Sequence, residues 1–202
     1  MPPRTEPRTA ALVLAAGASR RLGRPKQLLP YRGGVLLDAV VDTARGSGTA
    51  QVLIAVGGSG EQVLGAVDTT GCTVVENPDY GSGCSSSIAA AIPALDPGTE
   101  VLILLLGDQP GVTPGTVRRL LEGRGDAPLA VCRYDDGAGH PFAFASTIFP
   151  ALSALQGDKA VWKLLEQRAA DVVEVTVPGP VPLDVDTDDD YRRLLAGQGG
   201  AG

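Results

Sequence analysis

The run Val101-Leu102-Ile103-Leu104-Leu105-Leu106 contains no polar residue and ends directly on Gly107-Asp108-Gln109-Pro110. A strand that is wet on one face alternates apolar and polar residues. A strand apolar at every position must be covered on both faces, as in a parallel sheet sandwiched between helices. Ala10-Ala11-Leu12-Val13-Leu14-Ala15-Ala16 repeats the pattern and stops at Gly17. Amphipathic stretches separate such runs, so strands and helices alternate along the chain. The expected fold is α/β, a three-layer Rossmann-like domain with a mostly parallel central sheet. Aromatic residues make up only 4% of the chain, which leaves Leu, Val, Ile and Ala to build its core.

Strands are expected at 10–16, 51–56, 72–75, 101–106, 129–133, 142–145 and 172–177. Helices are expected at 35–44, 61–67, 85–95 with a stop or kink at Pro93, 117–121 after the cap Thr113-Pro114, 158–168 and 188–195. Residues 135–141 read as a loop. At 202 residues the chain suits one core. A single domain over 9–196 is expected, with flexible tails at 1–8 and 197–202.

The formal net charge of -6 disfavours nucleic acid as a partner, because phosphate backbones need a concentrated basic face. Five of the basic residues nevertheless fall between Arg20 and Arg32. Cys72, Cys84 and Cys132 form no CxxC pair, which points to a reducing compartment and small buried thiols. The first nine residues contain no apolar targeting segment, and no run is long enough to span a membrane. A cytoplasmic location follows, with no membrane partner.

The most informative segment is Leu14-Ala15-Ala16-Gly17-Ala18-Ser19-Arg20-Arg21-Leu22-Gly23-Arg24-Pro25-Lys26. A buried strand delivers the chain to a turn of small residues, where a ligand can approach the backbone closely. Successive N–H groups in such a turn form an anion-binding nest, and Arg21 and Lys26 add a fork and a point charge. These are the requirements for holding a triphosphate. Neither GxxxxGK[ST] nor GxGxxG is present, so P-loop and dinucleotide-fingerprint readings fail.

Asp108 follows the central strand almost directly, at the carboxyl end where open α/β sheets place ligands. A carboxylate there can hold Mg²⁺, which accepts one or two carboxylates and completes its shell with phosphate oxygens and water. Read alone, Asp108 serves equally well as the opener of a turn before Pro110. A second acidic source is Asp184-Val185-Asp186-Thr187-Asp188-Asp189-Asp190. The last three suit a helix's first turn. Asp184 and Asp186 precede it with strand-like alternation, and Asp186 is the preferred metal ligand of the two.

The glycine-bearing loop resembles the L-A-A-G-x-S-x-R-x-G-x-P-K signature of the molybdenum cofactor cytidylyltransferase family, with every fixed position present. Further elements resemble that family in its order as far as Tyr191. Asn77-Pro78-Asp79-Tyr80-Gly81-Ser82-Gly83-Cys84-Ser85-Ser86-Ser87 matches N-P-x-W-x-x-G-M-x-x-S with Tyr80 and Cys84 replacing Trp and Met. G-D-Q-P and G-H-P are present at Asp108 and His140. Gly157-Asp158-Lys159-Ala160 lacks the final Gly of G-D-x-G, and Asp188 replaces the Pro of D-x-D-T-P-E-D-Y.

The resemblance implies transfer of CMP from CTP to molybdenum-loaded molybdopterin with release of pyrophosphate. Mg²⁺ would sit on Asp108 and Asp186, and Arg21, Lys26 and Asp108 would be catalytic. Leu14, Ala15, Ala16, Gly17, Ser19, Arg21, Lys26, Ser87 and Asp108 would bind the nucleotide, and Gln109, His140 and Asp158 the acceptor. Asp158 also reads as a cap for its own helix. Ala16 matches the cytidylyl rather than the guanylyl type, which carries Gly. The implied partners are CTP or GTP, the pterin acceptor, and a molybdoenzyme in transient contact. A guanylyl- or other nucleotidyltransferase, or a cofactor chaperone that releases no pyrophosphate, remain open.

Overall fold

A computed structural model of the chain describes residues 7–17, 19 and 21–198. Seven strands form one sheet: β1 (Thr9–Leu14), β4 (Gln51–Val56), β5 (Thr73–Glu76), β6 (Val101–Leu106), β7 (Leu129–Tyr134), β8 (Gly137–Ala145) and β9 (Val172–Thr176). A two-stranded hairpin, β2 (Pro30–Tyr31) with β3 (Gly34–Val35), stands apart from it. The sheet order is β5-β4-β1-β6-β8-β7-β9, and β8 alone runs antiparallel to its neighbours. The two fully apolar runs are adjacent at the centre, with Leu12 beside Leu104 and Leu14 beside Leu106. Both are covered on two faces, as their composition requires.

One face carries α1 (Leu36–Gly46), α2 (Gly60–Leu64) and α4 (Pro114–Arg124). Leu37, Val40, Val41, Val117 and Leu120 pack there on Ala11, Val13, Ile54 and Ile103. The other face carries α3 (Cys84–Ala91), α5 (Phe149–Ser153) and α6 (Ala160–Gln167). Ile88, Leu152, Val161 and Leu164 pack there on Leu12, Leu53, Leu102, Leu104, Phe142 and Phe144. The result is the three-layer α/β arrangement with a mostly parallel sheet. A smaller cluster of Leu29, Tyr31, Leu36 and Val185 seats the hairpin and the last helix, α7 (Asp188–Gln198), by way of Tyr191 and Leu194.

Two local expectations change, and a third is met. Residues 137–141 are strand rather than loop, because β8 pairs with β7 from Gly137 onward around a tight turn at Asp135-Asp136. A register shift between Val131 and Cys132 lets the small residues of β8 continue the ladder. Residues 181–186 are not a strand despite the alternation of Asp184 and Asp186. Their path is set by Val185, which is buried in the hairpin cluster, and by its N–H, which donates to Asp108 O. The stop or kink expected at Pro93 is present: the helix ends at Ala91 and a 3₁₀ turn, Ile92–Ala94, follows.

The expected tail at 1–8 lies outside the described residues except for Pro7 and Arg8, and Arg8 O accepts from Glu100 N. At the other end the helix continues through Gln198, and 199–202 lie outside the described residues. Among the described residues no helix is long and apolar enough to cross a membrane.

Candidate active site

The carboxyl ends of β1 and β6 deliver two different chemistries to one cleft. After Leu14 the chain must leave the sheet, and it turns through a segment closed by Ser19, whose φ is 47°. Ser19 O accepts from Leu22 N and Gly23 N, and Ser19 Oγ accepts from Lys26 N at 2.9 Å. The loop is braced from inside by Gln27, a residue the sequence reading passed over. Its side chain is 2% exposed, and Nε2 donates to Ala15 O at 2.7 Å and to Gly17 O at 3.1 Å. A polar side chain immediately after the loop's lysine was the available signal. Ala18 and Arg20, within the same motif, lie outside the described residues.

This bracing aims Lys26 across the cleft. Its ammonium donates to Asp108 Oδ2 and, at 2.7 Å, to Asp186 Oδ1. The Lys26 and Asp108 side chains are 14% and 15% exposed. Arg21 reaches Asp186 Oδ2 at 3.2 Å from the rim. Burial alone would lower the Lys26 pKa, but the Asp108 and Asp186 carboxylates reverse this and hold it above the usual lysine value. The Lys26 hydrogen bond holds Asp186 below the usual carboxylate value. Desolvation, followed by repulsion from Asp108, pushes Asp184 up to about 6. Asp186 thus belongs to the cationic centre, whereas Asp184 lies beside Gln109.

The cleft is about 500 Å³. Leu14, Ala16, Gly17, Ser19, Arg21, Lys26, Ser87, Asp108, Asp158 and Asp186, all singled out from the sequence, line it together. Ala15, Gln109 and His140 are not among its lining residues. Ala15 is spent on the sheet and on Gln27, its N–H donating to Ala55 O. Gln109 is turned toward 182–184, its Nε2 donating to Pro182 O at 3.1 Å. His140 stacks on Phe142 at 4.0 Å with Trp162 edge-on, and desolvation pushes its pKa down to about 3. An imidazole so held is neutral near pH 7.

Asp158 does not cap its own helix. Its Oδ1 accepts from Cys84 N at 3.1 Å, so it caps α3 from across the cleft. Gly83 makes that approach possible: its φ is 108°, and a Cβ there would stand 2.7 Å from Asp158 N. Tyr80, Gly81, Gly83 and Cys84, quoted from the sequence as parts of the motif at 77–87, and Leu106 also line the wall without having been assigned a site role there.

The cleft therefore has a charged end, at Arg21, Lys26, Asp108 and Asp186, and a mostly uncharged end at Leu14, Ala16, Tyr80, Cys84 and Ser87. Among the described residues no group of three or more His, Cys, Asp or Glu could hold a metal. Two carboxylates meeting one ammonium do fit Mg²⁺ or Mn²⁺, whose remaining ligands come from phosphate and water.

Residues 11–172 match the MobA-like NTP transferase domain. Nicotine blue oxidoreductase of Paenarthrobacter nicotinovorans is 32% identical over 94% of this chain and 97% of its own. Molybdenum cofactor cytidylyltransferase of Escherichia coli is 28% identical over 89% and 92%. The crystal structure of Rv0371c from Mycobacterium tuberculosis superposes with a TM-score of 0.88 at 45% identity, over 96% of this chain and 100% of the other. A second structure of that protein, in complex with manganese, gives 0.84 at 44% identity over 94% and 98%. With its glycine-bearing loop facing Asp108 across the cleft, the chain belongs to the MobA-like NTP transferase domain family and is a nucleotidyltransferase.

Proposed function

We propose that this protein transfers CMP from CTP to the terminal phosphate of molybdenum-loaded molybdopterin and releases pyrophosphate. The observation that carries the reading is the meeting of Lys26 with Asp108 and Asp186 at the mouth of the glycine-bearing loop. The Escherichia coli relative supplies the choice of nucleotide and acceptor.

The acceptor phosphate is already an anionic nucleophile, so no side chain need remove a proton. Its oxygen bonds to the α-phosphorus as the bond to the β-phosphate bridging oxygen breaks, and the electron pair leaves with pyrophosphate. The chain's work is alignment and charge neutralisation. Loop N–H groups at Gly17 and Ser19 hold the phosphates. Lys26 moves from its carboxylate partners to the triphosphate, and Arg21 adds charge from the rim. Leu14, Ala16 and Ser87 bound the nucleoside and Asp158 the acceptor side, while Ala15, Gln109 and His140 act from outside the cleft lining, with neutral His140 limited to hydrogen bonding and stacking. Asp108 and Asp186 would hold Mg²⁺, which when bound supplies Lewis-acid neutralisation of the phosphate oxygens. The manganese complex of the Mycobacterium tuberculosis protein supports a divalent-cation requirement.

A second reading is favoured by the 32% identity to nicotine blue oxidoreductase: an oxidoreductase chemistry carried out in the same cleft. One assay separates the readings. Purified protein is given Mg²⁺, each nucleoside triphosphate in turn and molybdenum-loaded molybdopterin, and pyrophosphate is measured. Release with CTP is expected. Release only with GTP removes the cytidylyl reading, and acceptor binding without release indicates a chaperone. Redox turnover of an added electron carrier in a parallel cuvette, without pyrophosphate, replaces transfer with redox chemistry.

A further inference from the structure

The mostly uncharged end of the cleft contains a buried hydroxyl, that of Ser87, for whose own hydrogen the described residues supply no acceptor. Ser87 lines the cleft and is 3% exposed. Its Oγ accepts a hydrogen bond from Asn77 Nδ2 at 2.9 Å, and among the described residues that is its single side-chain partner.

The direction of this bond follows from Asn77, which is 4% exposed. Its backbone is anchored at the end of β5, its N–H donating to Val56 O at 2.9 Å. Its side-chain Oδ1 accepts from Asp79 N–H at 2.9 Å, and a backbone N–H can only donate, so the amide cannot be flipped. Both amide hydrogens then face α3. One goes to Ser86 Oγ at 2.8 Å, and Ser86 passes its own hydrogen to Gly83 O or Asp79 O. The other goes to Ser87 Oγ, which among the described residues has no comparable carbonyl to donate to. A hydroxyl that already accepts retains one hydrogen, and here that hydrogen has only the cleft to satisfy it.

We infer that Asn77 is a positioning residue that sets Ser87 as a hydrogen-bond donor to an acceptor atom on the nucleobase. This rests on the nucleotide-binding reading of the cleft. The phosphates belong at the opposite, cationic end, so the atom meeting Ser87 is a base carbonyl or ring nitrogen. A base edge that presents only donors there is disfavoured, since Ser87 cannot reverse its bond while Asn77 holds it.

The test is binding by calorimetry of CTP and, separately, of inorganic tripolyphosphate, both in Mg²⁺, to wild type, Ser87→Ala, Asn77→Asp and the double variant. Aspartate keeps the bond to Asp79 N–H but can only accept, so Ser87 must turn its hydrogen away from the cleft. Each single variant is expected to weaken CTP about fivefold, the scale of one neutral hydrogen bond, and to leave tripolyphosphate unchanged. Asn77→Asp should add nothing in the Ser87→Ala background.

Additive losses in the double variant, equal losses of CTP and tripolyphosphate, or an unchanged CTP affinity in Asn77→Asp would overturn the inference. Should Asn77→Asp not fold, Asn77→Ala supports the same comparison, with its CTP loss again absent in the Ser87→Ala background. Absence of CTP and tripolyphosphate binding in the wild type would instead remove the nucleotide reading itself.

Discussion

The Lys26 ammonium and the Asp186 carboxylate are 2.7 Å apart although 160 residues separate them in the chain, and the same ammonium also binds Asp108. The lysine thus stands between the two carboxylates that a divalent cation would need. In the proposed mechanism cation and lysine would compete for them until a triphosphate draws the lysine away. Lys26→Met is therefore expected to bind Mn²⁺ more tightly than wild type in the absence of nucleotide. Its melting temperature should be lower in chelator and should recover on adding Mn²⁺, because a cation that binds only the folded state stabilises it. Its turnover should fall by about 100-fold or more. Unchanged Mn²⁺ affinity, by titration calorimetry, would count against competition.

The two aspartates of the 184–186 segment should separate in function. Asp186→Asn removes a group that contacts both Lys26 and Arg21. It should cost about 10-fold or more in turnover, as should Asp108→Asn. Asp184→Asn removes a carboxylate beside Gln109 and should stay within a few-fold of wild type. Pyrophosphate release at saturating CTP checks the ranking. A larger loss in Asp184→Asn than in Asp186→Asn would reverse the assignment of the second metal ligand.

His140 links pH to stability. Its pKa is pushed down to about 3 in the folded protein, against an ordinary value of 6.5. Below pH 6.5 the unfolded chain takes up the proton and the folded chain does not, so stability falls as pH drops from 6.5 toward 3. The slope is at most about 1.4 kcal/mol per pH unit. Asp184, held up at about 6 from 3.8, slopes the other way over that interval, since the folded form binds its proton first. The difference between wild type and His140→Gln isolates the histidine, the single one in the chain. Denaturant unfolding at pH 7 and pH 5 should show the variant losing less stability than wild type.

Gly57 lies where no side chain fits. A Cβ there would stand 2.7 Å from the Tyr80 ring and 2.8 Å from Ala16 O, so the β4 turn presses on both walls of the cleft. Gly57→Ala should destabilise the fold by about 1–3 kcal/mol. It should also weaken nucleotide binding, because the phosphate loop and Tyr80 must separate. Gly71→Ala, where no atom lies within 4 Å but φ is 73°, provides a control for backbone strain alone. Its chemical denaturation midpoint should shift while CTP affinity does not.

The amino-acid sequence by itself determined the layers and the loop. Apolar runs at 10–16 and 101–106 demand cover on both faces, and the small residues from Ala15 to Gly17 make a turn that a ligand can approach; both properties are local. The helix starting at Thr113-Pro114 is legible for the same reason, with Thr113 Oγ1 accepting from Thr116 N. Tertiary structure alone decided the rest. Residues 137–141 became strand through pairing with β7, and 181–186 did not because buried Val185 set their path. Asp158 became the cap of a helix 74 residues earlier in the chain. Gln27 acquired its role from backbone atoms 12 and 10 residues earlier that no spacing rule places beside it, and Asn77, turned locally by its bond to Asp79 N–H, acquired its role from the serines of α3. A periodicity records which face of an element is buried. Which charges and donors meet across a cleft depends on how whole layers pack, and that information is spread over the entire core.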